Sequence, residues 1–195
     1  IPSISEWRVE YERVKAEKKT KKSDSEVSGA TVEDEAASKR AVKSVLNRRR
    51  HLVLLAQNQK GLENLFLLVS NSYKPENFYR YPRMDYALLE KYGEGIIAAS
   101  ACLGGVYAGN YWENGTYDDE GNRTGVDREA ALDAMRDTTR RMQAVFGDRW
   151  YGELQWNNIK EQHELNQLII EVAKEFDMKL VSTADSHYPN QTAWK

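Results

Sequence analysis

Strand-like and helix-like stretches alternate along most of this 195-residue chain, and that alternation restricts the fold more than any other feature. Amphipathic segments separate the strand-like runs, and the most regular one carries apolar residues at helical spacing from Leu165 to Phe176. Strands that alternate with helices favour an α/β fold with parallel strands and outer helices, in which ligands bind beyond the carboxyl ends of the strands. The predicted strands are residues 51–56, 95–100, 150–155 and the run that begins at Lys179, and the first and the last of them are expected to be buried.

Local signals also predict where some elements begin and end. Asp127 is expected to cap a long helix that ends at Gly147. The preceding segment, residues 114–125, is rich in Gly, Asp and Asn and is expected to form a mobile loop. The chain contains no Walker-type glycine-rich loop before a helix and no Gly-x-Ser-x-Gly motif, so neither of these two site types is indicated.

The composition limits the class of protein and its compartment. Hydrophobic residues make up 41% of the chain and the net charge is −2, so no overall basic field favours nucleic acid. No run of about 18 apolar residues is present, so we expect no membrane span. The single cysteine, Cys102, excludes an internal disulfide and favours a reducing compartment, which predicts a cytoplasmic location.

Residues 1–50 differ from the remainder of the chain. They contain helical patterns interrupted by a polar, lysine-rich stretch, and we expect a helical and mobile insertion or connecting segment. Residues 51–195 carry the alternating pattern and are expected to form one domain part. Because the chain begins with Ile1 rather than Met, we expect a fragment.

Four side chains are candidate metal ligands because each lies at an end of a predicted strand. Asp185 and His187 follow the last strand, and in an extended segment residues i and i+2 point to the same side. His51 begins the first strand and Cys102 follows the second, and all four are residue types that bind zinc or similar ions. The alternative is a loop aspartate capping a turn beside an exposed histidine, with Cys102 as a small buried hydrophobe.

Arg80 and Arg83 are candidate phosphate-binding residues. They lie in the aromatic and basic segment Tyr79-Arg80-Tyr81-Pro82-Arg83, and guanidinium groups pair well with phosphate oxygens. The alternative is a packed loop in which the arginine stems lie along apolar surface while their charged ends reach water.

Taken in chain order, five motifs resemble the PHP (polymerase and histidinol phosphatase) domain, most of all that of C-family bacterial replicative DNA polymerases, the DNA polymerase III alpha subunits. The resemblance covers residues 51–188, whereas residues 1–50 match poorly. The motifs are His51 to Asn58, Gly61 to Tyr73, Ser100 to Gly105, Phe146 to Gln155 and Ser182 to Tyr188.

This resemblance implies the C-terminal part of a distorted (β/α)7 barrel with divalent metal ions (zinc, manganese or magnesium) at the carboxyl ends of its strands. The positions of four family ligands correspond to His51, Cys102, Asp185 and His187. The family's His-x-His, Thr-Asp-His and Glu motifs, which precede the His51 motif, are absent from this chain. We therefore expect the isolated chain to be inactive.

The implied function is a part of a DNA-directed DNA polymerase of replication that contributes a metal-dependent phosphoesterase or 3′–5′ exonuclease-like site. Family members that have lost ligands imply an alternative, a non-catalytic scaffold that stabilises the polymerase and docks partner subunits. The implied partners are DNA, through the parent polymerase, and replisome subunits such as an exonuclease or the sliding clamp, with no membrane. Apart from the resemblance, the residues also leave open a stand-alone α/β phosphatase.

Overall fold

A computed structural model describes residues 9, 12, 13, 16, 49–79, 81–184, 186 and 188–193 of the chain. The residues form two compact units, one comprising residues 1–49 and 66–92 and the other residues 50–65 and 93–195. The predicted boundary between a connecting segment and a domain part at residue 50 stays a prediction.

The described strands and helices follow the predicted alternation. The strands are β1 (Val53–Ala56), β2 (Phe78–Tyr79), β3 (Tyr81–Pro82), β4 (Ile96–Ala99), β5 (Gly115–Tyr117), β6 (Arg123–Val126), β7 (Trp150–Gln155) and β8 (Lys179–Thr183). The helices are α1 (Gln59–Ser72), α2 (Tyr86–Tyr92), α3 (Val106–Glu113), α4 (Arg128–Phe146) and α5 (Lys160–Glu175), with short 3-10 helices at Gly147–Arg149 and Gln191–Ala193.

A four-stranded sheet in the order β1-β4-β7-β8 organises the larger unit. Strands β4, β7 and β8 are parallel to one another, as predicted. Strand β1 runs antiparallel to β4, with Val53 opposite Ala99, so the expectation of a wholly parallel sheet is wrong for this strand. A run of apolar residues carries no information about strand direction. Whether a strand is parallel or antiparallel to its neighbour depends on the segment that connects the two strands and on pairing between residues distant in the chain. The fold is α/β, with a mostly parallel sheet and flanking helices.

The two outer strands of this sheet are less buried than the sequence predicts. The run 51–56 was expected to be covered on both faces, yet Leu55 is 56% exposed. On β8, which was also expected to be buried, Leu180 is 41% exposed. In contrast, β7 lies between two partners and is almost wholly buried. The apolar runs therefore predicted β1 and β8 correctly as strands, but they did not predict that these two strands lie at the outer edges of the sheet.

Helices α3, α4 and α5 pack on the sheet and on one another. The predicted start of α4 is confirmed, because the Oδ1 atom of Asp127 accepts a hydrogen bond of 3.1 Å from the Ala130 N–H. Its predicted end is confirmed too, because Gly147 follows the helix with φ of 58°. Helix α5 approaches β7 closely at Gly152, where a Cβ atom would lie 2.8 Å from Cγ2 of Ile169.

A buried aromatic cluster lies near the amino end of β7. The indole N–H of Trp150 donates a 3.0 Å hydrogen bond to the Tyr107 hydroxyl, which lies 2.7 Å from Oγ1 of Thr139. All three side chains are inaccessible to solvent or nearly so. The polar atoms of this core are thus satisfied internally.

Two hairpins occupy segments that were expected to be loops. Strands β5 and β6 pair antiparallel in the segment 114–125, and β6 extends one residue past it. In the turn between these strands, Oδ1 of Asp118 accepts a 2.7 Å hydrogen bond from the Asn122 N–H. In the smaller unit, β2 and β3 pair antiparallel on either side of residue 80. Each strand of these hairpins contains too few residues to produce a recognisable strand pattern in the sequence, and the residues around it are typical of turns.

The motif Gln57-Asn58 and Gly61 is explained by the start of α1. The side chain of Asn58 accepts a 2.9 Å hydrogen bond from the Gly61 N–H and so caps the helix. A Cβ atom on Gly61 would lie 1.8 Å from the carbonyl oxygen of Gly95, so only glycine allows this approach. No helix in the described part of the chain is long and apolar enough to cross a membrane.

Candidate metal site at the carboxyl edge of the sheet

The antiparallel direction of β1 brings His51 to the edge where the parallel strands end. His51 precedes β1 by two residues, and the first residue of β1 pairs with the last residue of β4. The backbone N–H of His51 donates a 2.8 Å hydrogen bond to the carbonyl of Gly104, and His51 forms an isolated bridge with Gly105. In a wholly parallel sheet, a residue before β1 would lie at the opposite edge.

The residue before His51 is anchored to helix α3. A guanidinium nitrogen of Arg50 lies 2.7 Å from a carboxylate oxygen of Glu113. The Arg50 side chain crosses α3 at Gly109, where a Cβ atom would lie 2.1 Å from Nε of Arg50. Gly109 is therefore required for this close contact, and the contact restrains the backbone that leads into His51.

Cys102 lies in a tight turn directly after β4. Ala101 has φ of 62°, a left-handed conformation that is uncommon outside glycine and stores backbone strain. The Gly105 N–H donates a 2.7 Å hydrogen bond to the Cys102 carbonyl, and a Cβ atom on Gly105 would lie 2.0 Å from the Ser100 carbonyl oxygen. These small residues thus allow the chain to reverse sharply around the thiol.

His51 and Cys102 approach each other closely, as the metal hypothesis requires. Nδ1 of His51 lies 3.6 Å from Sγ of Cys102, and the Gly104 N–H lies 3.5 Å from the same sulfur. His51 is exposed and Cys102 is half-buried. Tetrahedral zinc, with its usual bond lengths to nitrogen and sulfur, places two such ligand atoms about 3.6 Å apart. The pair therefore fits a shared zinc ion, and it equally fits an S–H to nitrogen hydrogen bond.

The remaining predicted site residues are not all open to a geometric test. Strand β8 ends at Thr183, two residues before Asp185, but Asp185, His187 and Arg80 lie outside the described residues. Within the part of the chain that the structure describes, no three His, Cys, Asp or Glu side chains group as a metal site. Arg83 is half-buried in the smaller unit, just after β3. Metal binding by the four candidates and phosphate binding by the two arginines stay predictions.

Sequence reasoning did not single out Glu153, a carboxylate at the same edge of the sheet. Glu153 lies on β7 and is only 5% exposed. Its Oε1 atom accepts hydrogen bonds from the Thr183 hydroxyl at 2.7 Å and from the Gln155 amide at 3.2 Å. The available signal was the pair of polar residues at alternate positions, 153 and 155, near the end of a strand that is otherwise apolar.

An exposed aromatic side chain, Trp156, follows β7 at the same edge. Its indole N–H donates a 3.0 Å hydrogen bond to the hydroxyl of Ser182 on β8. The centre of its ring lies 6.4 Å from that of His163, which is itself exposed on α5. These contacts tie the ends of β7 and β8 together on the solvent side.

Comparison with known proteins places these features in a family. The family model of the PHP domain matches residues 10–157, a range that includes His51 and Cys102 and ends before Asp185. Among related proteins, the DNA polymerase III subunit alpha of Aquifex aeolicus is 44% identical over 140 residues, which is 72% of this chain and 11% of that protein. The corresponding subunit of Campylobacter jejuni is 36% identical over 141 residues, and that of Thermus aquaticus is 33% identical over 138 residues.

The chain spans about a tenth of the length of these relatives, since the matched shares are 11%, 11% and 10%. The family match covers well over half of the chain, and its matched range contains the turn around Cys102 and the strand that follows His51. The chain therefore belongs to the PHP domain family and is related to the PHP region of DNA polymerase III alpha subunits.

Proposed function

We propose that this chain is part of the PHP domain of a replicative DNA polymerase III alpha subunit, where it contributes to a divalent-metal phosphoesterase or 3′–5′ exonuclease-like site. The observation that carries the proposal is the 3.6 Å approach of His51 and Cys102 at the carboxyl edge of the sheet. The relatives that match most of this chain are named as alpha subunits of DNA polymerase III. DNA and other replisome subunits, such as an exonuclease or the sliding clamp, are the partners of the parent protein, in the cytoplasm.

The exposed margins of the sheet support a partial (β/α)7 barrel. Leu55 on β1 and Leu180 on β8 are apolar side chains on outer strands, where exposed apolar surface is unfavourable. Within the described residues neither strand pairs with a further strand. Additional strands of a barrel would satisfy the open backbone groups of both strands and cover these side chains.

The proposed ligands are His51, Cys102, Asp185 and His187, which bind a zinc, manganese or magnesium ion. A thiolate ligand favours zinc over magnesium and manganese, because the sulfur is a soft donor. When bound, divalent ions activate water and neutralise charge on phosphoryl oxygens. The tight turn after β4 holds the sulfur towards the imidazole. Arg80 and Arg83 are proposed separately as phosphate-binding residues, because guanidinium groups pair well with phosphate oxygens.

The proposal is tested on the full gene product that encodes this chain. Bound metal is measured by mass spectrometry after dialysis against metal-free buffer, and hydrolysis is followed on 3′-labelled single-stranded DNA. Wild-type protein is expected to retain metal and to release nucleotides from the 3′ end, whereas Asp185→Ala and Cys102→Ser lose both properties. A wild-type protein that holds no metal would overturn the proposal.

The alternative is a non-catalytic scaffold that stabilises the polymerase and docks partner subunits, and it is favoured by the approach of His51 and Cys102 insofar as this contact also fits an S–H to nitrogen hydrogen bond without metal. A scaffold predicts that Asp185→Ala lowers the free energy of unfolding and leaves DNA hydrolysis at background in both proteins. Loss of hydrolysis with unchanged stability would decide for the enzyme.

A further inference from the structure

Glu153 is a carboxylate in an unusual position, since it lies within β7, one of the two inner strands of the main sheet, and is almost fully buried. Burial of an ionisable group is costly unless hydrogen bonds or an opposite charge compensate it. None of the salt bridges found among the described residues involves Glu153. Its presence at this buried position therefore points to a role beyond filling space.

Glu153 connects the ends of the two neighbouring strands. Its backbone N–H donates a 2.8 Å hydrogen bond to the Ser100 hydroxyl, directly after β4. Its carboxylate accepts a 2.7 Å hydrogen bond from the hydroxyl of Thr183, the last residue of β8. Ser100 and Thr183 each precede a candidate ligand, Cys102 or Asp185, by two residues.

The carboxylate of Glu153 is itself held in place by Gln155. The Gln155 amide donates a 3.2 Å hydrogen bond to the same oxygen that receives the Thr183 hydroxyl. The backbone of Gln155 is fixed in turn by a 2.8 Å hydrogen bond from the side chain of Asn166 on α5. Both Gln155 and Asn166 are buried, so this arrangement is shielded from competing water.

We propose that Glu153 is a positioning residue that fixes the separation of the strand ends carrying Cys102 and Asp185, and thereby sets the affinity of the site for metal. The inference rests on the proposed function. It follows the general behaviour of metal sites, in which hydrogen-bonded groups behind the ligands control ligand geometry and their loss lowers metal affinity by about 10- to 100-fold. Glu153 acts through the strand ends and need not touch the metal.

Substitutions at Thr183 test the inference, because valine and serine differ little from threonine in the size and shape of the side chain. Thr183→Val removes the hydroxyl that binds Glu153, whereas Thr183→Ser keeps it. The dissociation constant for Zn²⁺ alone is measured by equilibrium dialysis on the full gene product. Thr183→Val is expected to weaken Zn²⁺ binding by about 10- to 100-fold, whereas Thr183→Ser is expected to keep a Zn²⁺ affinity within about threefold of wild type.

Thr139→Val is the control, because Thr139 is also a hydrogen-bonding threonine, fully buried where Thr183 is half-buried, but lies in the cluster with Tyr107, near the amino end of β7. It should lower the free energy of unfolding and leave the Zn²⁺ dissociation constant unchanged. Glu153→Gln, which keeps an oxygen acceptor for Thr183, is expected to bind Zn²⁺ far better than Glu153→Leu, which has none.

The outcomes separate the two proposals. If wild-type protein binds Zn²⁺ and Thr183→Val binds it equally well, the role of Glu153 is overturned and the proposed function stands. If wild-type protein binds no Zn²⁺, both are overturned.

Discussion

At the scale of single residues, the position of the His51 ring depends on the absence of a side chain at residue 104. A Cβ atom on Gly104 would lie 3.0 Å from both Cε1 and Nδ1 of His51, which is closer than carbon atoms normally approach. The same glycine donates its N–H towards Cys102 and accepts the His51 N–H through its carbonyl. Gly104 thus holds the imidazole and the thiol together without occupying the space between them.

Gly104→Ala is expected to displace the imidazole and to weaken Zn²⁺ binding on the order of tenfold. The reason is that metal ligands must be held to a fraction of an ångström. Equilibrium dialysis with Zn²⁺ measures the effect on the full gene product. Gly125→Ala, in strand β6, is the control, since its Cβ would meet only the Thr116 hydroxyl at 3.3 Å. Equal Zn²⁺ affinity in the two variants would show that Gly104 does not position His51.

The resemblance to the PHP domain implied that His51 and Cys102 converge, but the strand pattern did not, because a wholly parallel sheet would place His51 at the opposite edge from Cys102. The sequence did not reveal Glu153, because a glutamate in an alternating strand normally faces water. Only the pairing of β7 with β8 on one side and β4 on the other buries this carboxylate and brings Thr183 to it. That information lies in contacts between distant residues rather than in local pattern.

At the scale of elements, helices α3 and α5 are joined by one short hydrogen bond. The hydroxyl of Tyr111 donates to a carboxylate oxygen of Glu164 at 2.5 Å, and a guanidinium nitrogen of Arg123 on β6 donates to the same hydroxyl at 3.0 Å. Burial, followed by the hydrogen bond to Glu164, raises the pKa of Tyr111 to about 12. The same hydrogen bond lowers the pKa of Glu164 below its ordinary value.

Tyr111→Phe is expected to lower the free energy of unfolding by about 1 to 2 kcal/mol near neutral pH, because Glu164 loses its donor. A raised tyrosine pKa means that the folded state holds the proton more tightly, so this stabilisation is complete below about pH 10 and is lost as the pH rises towards about 12. The lowered pKa of Glu164 adds stability above the ordinary glutamate pKa, which is lost as the pH falls through the folded-state value.

Urea unfolding across the pH range measures both effects. The variant should show a smaller fall in stability at alkaline pH than wild type, and Tyr117→Phe, at an exposed tyrosine of β5, should behave as wild type. Identical alkaline profiles for wild type and Tyr111→Phe would contradict the assignment.

Helices and strands whose ends are marked by particular residues in the sequence were predicted well. Features that depend on pairing between strands were not. Helix α4 has a capping aspartate and a terminal glycine, so both its ends were predicted. The hairpin β5–β6 was missed because three or four strand residues beside an Asp-Gly-rich turn carry too little signal. The predicted direction of β1 was wrong, because the direction of a strand depends on the path that the chain takes between strands.

At the scale of the whole molecule, the main sheet formed by the described residues ends on both sides in a strand with exposed apolar side chains. Exposed strand edges of this kind pair readily with other chains. In the proposed barrel, these edges contact further strands of the parent protein. The chain alone is therefore expected to associate with itself through β1.

Leu55→Lys is expected to reduce this self-association, because a charged side chain on an outer strand opposes pairing with another chain. Sedimentation velocity of the 195-residue chain measures it, with Thr116→Lys on the separate hairpin as a control of equal charge. In the full gene product the same Leu55→Lys substitution should lower the free energy of unfolding, since the proposed barrel covers β1 there. Unchanged stability of the full gene product would argue against a partial barrel.

The central claim, that His51 and Cys102 share a metal ion with Asp185 and His187, is tested most directly by cobalt substitution. A Co²⁺ ion bound by a thiolate produces a sulfur-to-metal charge-transfer absorption band in the near ultraviolet. The account predicts this band in the Co²⁺-loaded full gene product, its disappearance in Cys102→Ser, and weaker Co²⁺ binding in His187→Ala. A Co²⁺-loaded wild-type protein without a band that depends on Cys102 would contradict it.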